Sequence, residues 1–371
     1  MSRAPRARDT LSRMPSVDPH REAWASLALR AIPPSALVAL LREFAGPAGV
    51  LAATRKALAG VVPEPIVARL ARPVPPDLLA RTLAWLGEPG HELVAWGDAS
   101  YPQALLAIGH PPPVLFYVGR ADLLNHPALA IVGSRSATAQ GRDNARAFAR
   151  AISEAGLTVV SGLATGIDGA AHEGGLEGAS STLAVVATGL DRVYPARHRE
   201  LAHRIAEHGT LVSEFPPGTP PREQNFPRRN RLISGLSRGV LVVEAALHSG
   251  SLITARYAGE QGREVFAIPG SIHSPVAKGC HKLLREGAKL VETAVDILEE
   301  LGMAPGLQSA AEAPISQSAV LAAMGDDPAD IDTLIARTGL SADSVVIELT
   351  SLELAGAAAP LPGGSWQRRR P

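Results

Sequence analysis

The residues best suited to chemistry fall between Phe226 and Leu252, in the stretch FPRRNRLISGLSRGVLVVEAALHSGSL. Arg228, Arg229 and Arg231 follow the Phe226 ring within one expected helical turn, and guanidinium groups suit bidentate phosphate contacts and stacking. At the far end Ser249-Gly250-Ser251 opens a helix expected over Leu252 to Gln261, where bare amides and small hydroxyls favour an anion. Between them Gly239-Val-Leu-Val-Val-Glu244 is apolar and β-branched, as in a strand covered on both faces of a parallel sheet. A stacking ring, guanidinium groups and a phosphate-sized nest near a sheet edge imply a nucleic-acid backbone, or at least a nucleotide.

Other strand ends carry related chemistry. Ile131-Val-Gly133-Ser134-Arg135 sits where a dinucleotide fingerprint would fall, but Arg135 replaces its second glycine. The next strand ends in Ser161-Gly162 rather than an acid for a ribose hydroxyl, which argues against NAD. The turn can still hold a phosphate on the amides of Gly133 and Ser134 and on Arg135. Ser161-Gly162-Leu-Ala-Thr165-Gly166-Ile-Asp168 is a second strand-turn-helix with glycine where backbone approaches a ligand. Asp168 reads first as a residue favoured by the helix dipole, and His172 as a hydrogen-bonded structural histidine. Gly189-Leu-Asp191-Arg-Val-Tyr194-Pro195 and Ser213-Glu214 end two further strands. No G-x-x-x-x-G-K-[ST], G-x-S-x-G or convincing carboxylate pair occurs, so a groove without catalytic machinery favours binding.

The elements that must position these turns alternate regularly. Strands are expected over Leu129–Val132, Leu157–Val160, Thr182–Ala187, Thr210–Ser213, Val240–Glu244, Glu264–Ile268 and Lys289–Val291, with helices between them. That pattern means a doubly wound, mostly parallel α/β sheet whose ligands sit beyond the carboxyl ends of the strands. Leu93–Trp96 and Val114–Val118 read as connecting or edge strands. Residues 1–20 read as disordered, and 21–90 as a small helical domain made of Trp24–Arg30, Ser35–Phe44, Pro47–Leu58, Pro65–Leu70 and Pro76–Trp85. Its sparse basic residues favour a packing or interaction module over a DNA contact. The sheet domain is expected over 91–301 and a linker over 302–314. Over 315–371 three helices and a Gly-Pro wing read as a winged helix. Its presumed recognition helix, Asp343 to Glu353, holds acidic and apolar residues and no Arg or Lys, which favours protein interaction or dimerisation.

Composition bounds the partners. The 371 residues allow two to three domains. Lys plus Arg (36) balance Asp plus Glu (36), so a nucleic-acid surface must be a local patch. Lysine occurs only at 56, 278, 282 and 289, leaving arginine as nearly the whole basic complement. One cysteine, Cys280, excludes a disulfide framework and a cysteine-built zinc site. With no membrane-length apolar run and no signal-like start, a cytoplasmic protein without a membrane partner, metal or cofactor is expected.

With these motifs assembled, the chain resembles the DNA-processing protein A family, DprA or Smf. The resemblance covers Tyr101-Pro102, Gly133-Ser-Arg135, Ser161 to Asp168 with Ala171-His172, and Gly189-Leu-Asp191 with Tyr194-Pro195. It continues through Ser213-Glu214, Phe226-Pro-x-Arg-Asn-Arg231, Glu244-Ala245, Ser249-Gly-Ser-Leu-Ile-Thr254 and Val265-Phe-Ala-Ile-Pro-Gly270. It implies an extended Rossmann-like domain that binds single-stranded DNA, dimerises and helps load RecA recombinase during natural transformation. Single-stranded-DNA-binding protein is a further implied partner. The helical start then resembles a sterile-alpha-motif-like domain and the end a winged-helix domain. Two positions depart from the family: Thr165, where many members carry a basic residue, and Gly279-Cys280-His281, where Gly-(Ser/Thr)-Asn is usual.

The candidate DNA contacts are Ser134, Arg135, Gly162, Thr165, Gly166, Phe226, Arg229, Asn230, Arg231, Ser249, Gly250 and Ser251. The competing reading is a nucleotide phosphoribohydrolase on a similar fold, with Glu244 and the Ser249 turn cleaving a glycosidic bond. Against it, the Pro-Gly-Gly-x-Gly-Thr-x-x-Glu run of those hydrolases is absent. A third reading is a transcription factor acting through the C-terminal helices.

Overall fold

The computed structural model describes residues 18–303, 318–325, 328–354, 356–361 and 364–369. Residues 1–17, where disorder is expected, 304–317 with most of the expected linker, 326–327, 355, 362–363 and 370–371 lie outside the described residues. The chain divides into two compact units, Met1–Pro305 and Gly306–Pro371.

The first unit begins with six short helices, α1 (Pro19–Leu29), α2 (Pro34–Glu43), α3 (Pro47–Ala52), α4 (Arg55–Ala59), α5 (Glu64–Ala71) and α6 (Pro76–Leu86). α1 starts five residues before the expected Trp24, because Asp18 accepts from the His20 amide at 3.0 Å and Pro19 fills the first helical position. The helix expected over Pro47–Leu58 is two helices, since Thr54 starts a second by accepting from the Ala57 amide at 3.3 Å. Trp24, Leu27, Leu37, Leu40, Val50 and Val67 form a core that continues onto Leu93, Ala95, Val114 and Phe116 of two strands, β1 (His91–Ala95) and β2 (Val114–Gly119).

The strands that follow are β3 (Ala128–Val132), β4 (Thr158–Ser161), β5 (Thr182–Val185), β6 (Thr210–Ser213), β7 (Gly239–Val242), β8 (Glu264–Ala267) and β9 (Lys289–Leu290). They join β1 and β2 in a nine-stranded sheet of order β1-β2-β6-β5-β4-β3-β7-β8-β9. The run from β6 to β9 is parallel, while β2 pairs antiparallel with both β1 and β6. Side chains alternate between two cores: Ala130, Val132, Val240 and Val242 enter one, and Leu129, Ile131, Leu241 and Val243 the other. Burial on both faces is why these strands read as continuous apolar runs. The helices of this region are α7 (Gln103–Leu106), α8 (Ala139–Glu154), α9 (Ile167–Glu177), α10 (Arg199–His208), α11 (Asn225–Gly235), α12 (Ser251–Glu260), α13 (Lys278–Arg285) and α14 (Ala294–Glu300). α14 had no counterpart in the sequence reading; a capping box between Thr293 and Asp296 starts it.

The winding runs outward from β3 to β6 and then returns to place β7 on the other side of β3. This reversal leaves a crevice beyond the carboxyl ends of β3 and β7, where open α/β sheets take ligands.

The second unit holds α15 (Ala319–Met324), β10 (Ala329–Asp330), α16 (Ile331–Thr338), α17 (Ala342–Leu354), β11 (Ala358–Pro360) and β12 (Ser365–Arg368). Its strands pair antiparallel in the order β10-β12-β11. The helices pack through Val320, Leu334, Val345 and Leu349. Three helices closed by a small hairpin sheet make a winged helix.

Candidate nucleic-acid interface

A cleft of about 730 Å³ opens at the β3/β7 crevice. Ser134 and Arg135 reach it from the turn after β3, Phe226 and Asn230 from α11, and Ser249, Gly250 and Ser251 from the turn before α12. The structure therefore brings eight of the twelve candidate residues to one cleft, the eighth being Arg229, which lines it while being largely buried.

Two turns build the floor by hydrogen bonding to each other. The Ser134 amide donates to the Glu244 carbonyl at 2.7 Å, which ties the end of β3 to the end of β7. The Ile167 amide donates to the Ser134 carbonyl at 3.2 Å, and the Thr165 hydroxyl to the Arg135 carbonyl at 3.1 Å. Gly166 sits at φ +80° against these carbonyls, and a Cβ there would collide with the Ser134 oxygen. Gly166 and Thr165 thus shape the turn from behind; neither lines the larger cleft.

Arg135 is exposed and pairs with no carboxylate among the described residues. Its guanidinium lies 5.4 Å from the centroid of the Phe226 ring. Phe226 is half-buried and tilts against Tyr194, with ring centroids 5.7 Å apart. Arg135, Phe226 and the 46 % exposed Tyr194 form one aromatic and cationic ridge, a surface on which a base can stack while its phosphate meets the guanidinium. Across the cleft, Ser249 accepts from the Ser251 amide at 3.3 Å and shares a 2.7 Å hydrogen bond with the Ser251 hydroxyl. No side chain at Gly250 caps α12, so its positive end faces the cleft. Asn230 holds this turn by donating to the Gly250 carbonyl at 3.3 Å.

Two arginines of the candidate set are held by the protein itself. Arg229 is only 4 % exposed. Its Nη1 donates to the Gly162 carbonyl at 2.6 Å and to the Val185 carbonyl, which pins α11 to the ends of β4 and β5. Gly162 has its own place in this arrangement, because a Cβ would strike the guanidinium. Burial lowers the pKa of Arg229 to about 10 and raises that of Asp168 nearby, whose charge partly restores the arginine. Arg231 is held at 2.6 Å by the buried carboxylate of Glu214, which also accepts from Arg228 at 2.9 Å. A second Arg231 nitrogen donates to the His110 carbonyl. Both side chains, expected on phosphates, secure the helix that carries Phe226.

His172, read as structural, is held inside the protein, and Glu244 is likewise engaged by the protein. His172 is fully enclosed: its Nε2 accepts from the Leu163 amide at 3.2 Å and its Nδ1 faces the Thr182 hydroxyl at 2.7 Å. Glu244, the acid of the hydrolase reading, accepts from the Thr138 amide at 2.9 Å and the Thr138 hydroxyl at 2.6 Å. Its carboxylate fastens the start of α8 and does not line the cleft. The sequence reading missed His248 and Ser136, which complete the wall; only their closeness to the Ser249 and Arg135 turns marked them.

Residues 92–302 match the family described as DNA recombination-mediator protein A, and residues 303–364 match the DprA winged helix domain. Protein Smf of Escherichia coli is 44 % identical over 310 residues, covering 80 % of this chain and 82 % of its own. The solved structure of DNA processing protein A from Streptococcus pneumoniae superposes with TM-score 0.67 at 36 % identity, covering 76 % of this chain and 97 % of that one. A second solved structure is that of the Helicobacter pylori protein, described for its single-stranded DNA binding mode. It gives TM-score 0.52 at 29 % identity over 57 % of this chain and 95 % of its own. The same turns that build the cleft lie inside the matched stretch, and the chain belongs to the DNA recombination-mediator protein A (DprA/Smf) family.

Proposed function

We propose that the cleft holds the backbone and bases of single-stranded DNA and that the protein acts as a recombination mediator. In this reading it protects incoming strands and loads RecA recombinase during natural transformation, as a cytoplasmic homodimer with single-stranded-DNA-binding protein as a further partner. The observation that carries it is the ridge of Arg135, Phe226 and Tyr194 facing the start of α12, which offers a stacking surface and two anion-attracting groups within one crevice. The single-stranded DNA bound by the Helicobacter pylori relative supports it. Binding without chemistry is favoured because Glu244, the acid a glycosidic cleavage would need, is engaged by Thr138.

The test is fluorescence anisotropy of a labelled oligothymidine across a salt series. Arg135→Ala should flatten the plot of log affinity against log salt by roughly 0.7, one phosphate on a single strand. Phe226→Leu should cost about 1–3 kcal/mol of binding and leave the slope alone. Arg229→Ala should instead destabilise the fold by about 3 kcal/mol, because it strands two buried carbonyls and Asp168. An unchanged slope in Arg135→Ala, or no binding by the unaltered protein, would remove the strand from this cleft.

A further inference from the structure

A second groove, of about 720 Å³, shares no lining residue with the cleft. It runs between the first helices and the sheet, with Leu27, Ile32 and Leu37 of the α1–α2 corner on one side and the loop 215–220 after β6 on the other. Seven of its lining residues are prolines, which bring carbonyls but no N–H. The carbonyls of Pro217 and Pro220 accept no hydrogen bond among the described residues. The rim is cationic. Arg228 and Arg231 share the single carboxylate of Glu214. Arg222 is exposed and, among the described residues, has neither an ion pair nor a side-chain hydrogen bond. Arg81 of α6, likewise unpaired, comes up to the Gly218 turn, where a Cβ would lie 3.5 Å from its Nη1. Asp191 accepts from the Gly218 amide at 2.8 Å but is already paired with Arg192. Four guanidinium groups thus face one available carboxylate.

Charge and lining select the occupant. The cations call for an anionic partner, and the floor decides which kind. A nucleic-acid strand would find no open ring for its bases, because Phe215 is 6 % exposed and the Arg228 guanidinium stands 5.1 Å from its centroid. A polypeptide brings main-chain N–H groups to the proline carbonyls and apolar side chains to the leucine, isoleucine and proline surface. The two long stretches of this chain outside the described residues lack the charge: 1–17 hold four arginines and one aspartate, and 304–317 one glutamate. We propose that this groove docks an extended, acidic and apolar segment of another protein, its carboxylates on Arg81, Arg222 and Arg228 and its apolar side chains against Ile32 and the prolines. Such docking leaves the cleft free, so a strand and a protein partner can be held together.

The experiment uses the full chain and a labelled peptide of alternating aspartate and leucine, followed by fluorescence anisotropy. Control peptides carry lysine in place of aspartate or serine in place of leucine. The aspartate-leucine peptide should bind, less tightly as salt rises, and both controls should bind many-fold more weakly. Arg81→Ala and Arg222→Ala change exposed side chains without a partner, so the melting temperature should stay in place while each weakens the peptide several-fold. Pro33→Asp sets a carboxylate inside the groove at the residue before α2, a position where aspartate caps a helix well, and should nearly abolish peptide binding in a folded protein. Saturating oligothymidine should not displace the peptide, and oligothymidine affinity should be the same in Arg81→Ala and Pro33→Asp as in the unaltered protein. No binding of the aspartate-leucine peptide, or binding unchanged in Arg81→Ala and Pro33→Asp, would overturn the proposal. So would displacement by oligothymidine with weaker oligothymidine binding in Arg81→Ala, which would make the groove part of the strand's path. A protein that binds the peptide at this groove but no oligonucleotide would refute the reading of the cleft and leave this one standing.

Discussion

At the scale of single residues, burial decides which charged and titratable groups face a ligand. Arg135 was legible because its turn follows a strand and leaves it in solvent. Arg229 and Arg231 were not, because the carbonyl that holds Arg229 lies 67 residues away and the carboxylate that holds Arg231 lies 17 away. A linear sequence displays a charge but not its partner. His172 shows the energetic side of enclosure. Burial, with positive charge from His198 and Arg229 nearby, pushes its pKa from the ordinary 6.5 down to about 3. The unfolded chain takes up this proton as pH falls through 6.5, and the folded chain does so only near 3. The stabilisation is therefore complete above pH 6.5 and is lost progressively as pH falls toward 3. Asp168, whose carboxyl burial pushes up, works in the opposite sense across its own window, so His172 must be isolated by substitution. Between pH 7 and 5 its share is about 2 kcal/mol. His172→Gln should be less stable than the unaltered protein at pH 7 yet lose about that much less on acidification, as measured by urea unfolding at each pH. Equal losses in both proteins would rule out this proton.

At the scale of elements, nearly every strand of the parallel sheet was legible, because burial on two faces writes a continuous apolar run. The edge was not. β2 pairs with β6, whose sequence lies far downstream, and nothing local announces an antiparallel strand beside a parallel series. The helix boundaries that shifted did so at caps, Asp18 for α1 and Thr54 for α4, which depend on one side chain and not on periodicity. Glu244 extends this point from a cap within one element to one supplied by another. It ends one strand segment and fastens the helix that follows a different strand, through Thr138. Glu244→Ala should lower stability by about 1–2 kcal/mol, the cost of a lost helix-start hydrogen bond, with the salt slope of oligonucleotide binding unaltered. Thermal unfolding and anisotropy measure the two. If the unaltered protein releases free base from a nucleoside monophosphate and Glu244→Ala abolishes it, the residue is catalytic and this assignment is wrong.

At the scale of the whole molecule, a formal net charge of +0 means that no overall field gathers a polyanion, and the proposed recognition rests on a few groups in the cleft. The winged helix adds none on its long helix α17, where Asp343, Glu348 and Glu353 accompany the 67 % exposed Ile347. A protein ending at Pro305 should therefore keep its single-strand affinity, with its salt slope changed by less than the roughly 0.7 of one phosphate. Loss of binding by a folded, shortened protein would make that domain a DNA contact. Finally, the two turns under the cleft are already joined by the Ile167 and Thr165 hydrogen bonds to Ser134 and Arg135. A strand bound there as proposed would find its seat assembled and need not wait for loops to order. Encounter rates should then be nearly the same for different oligonucleotides of one length, and preference should be expressed in how long each remains bound.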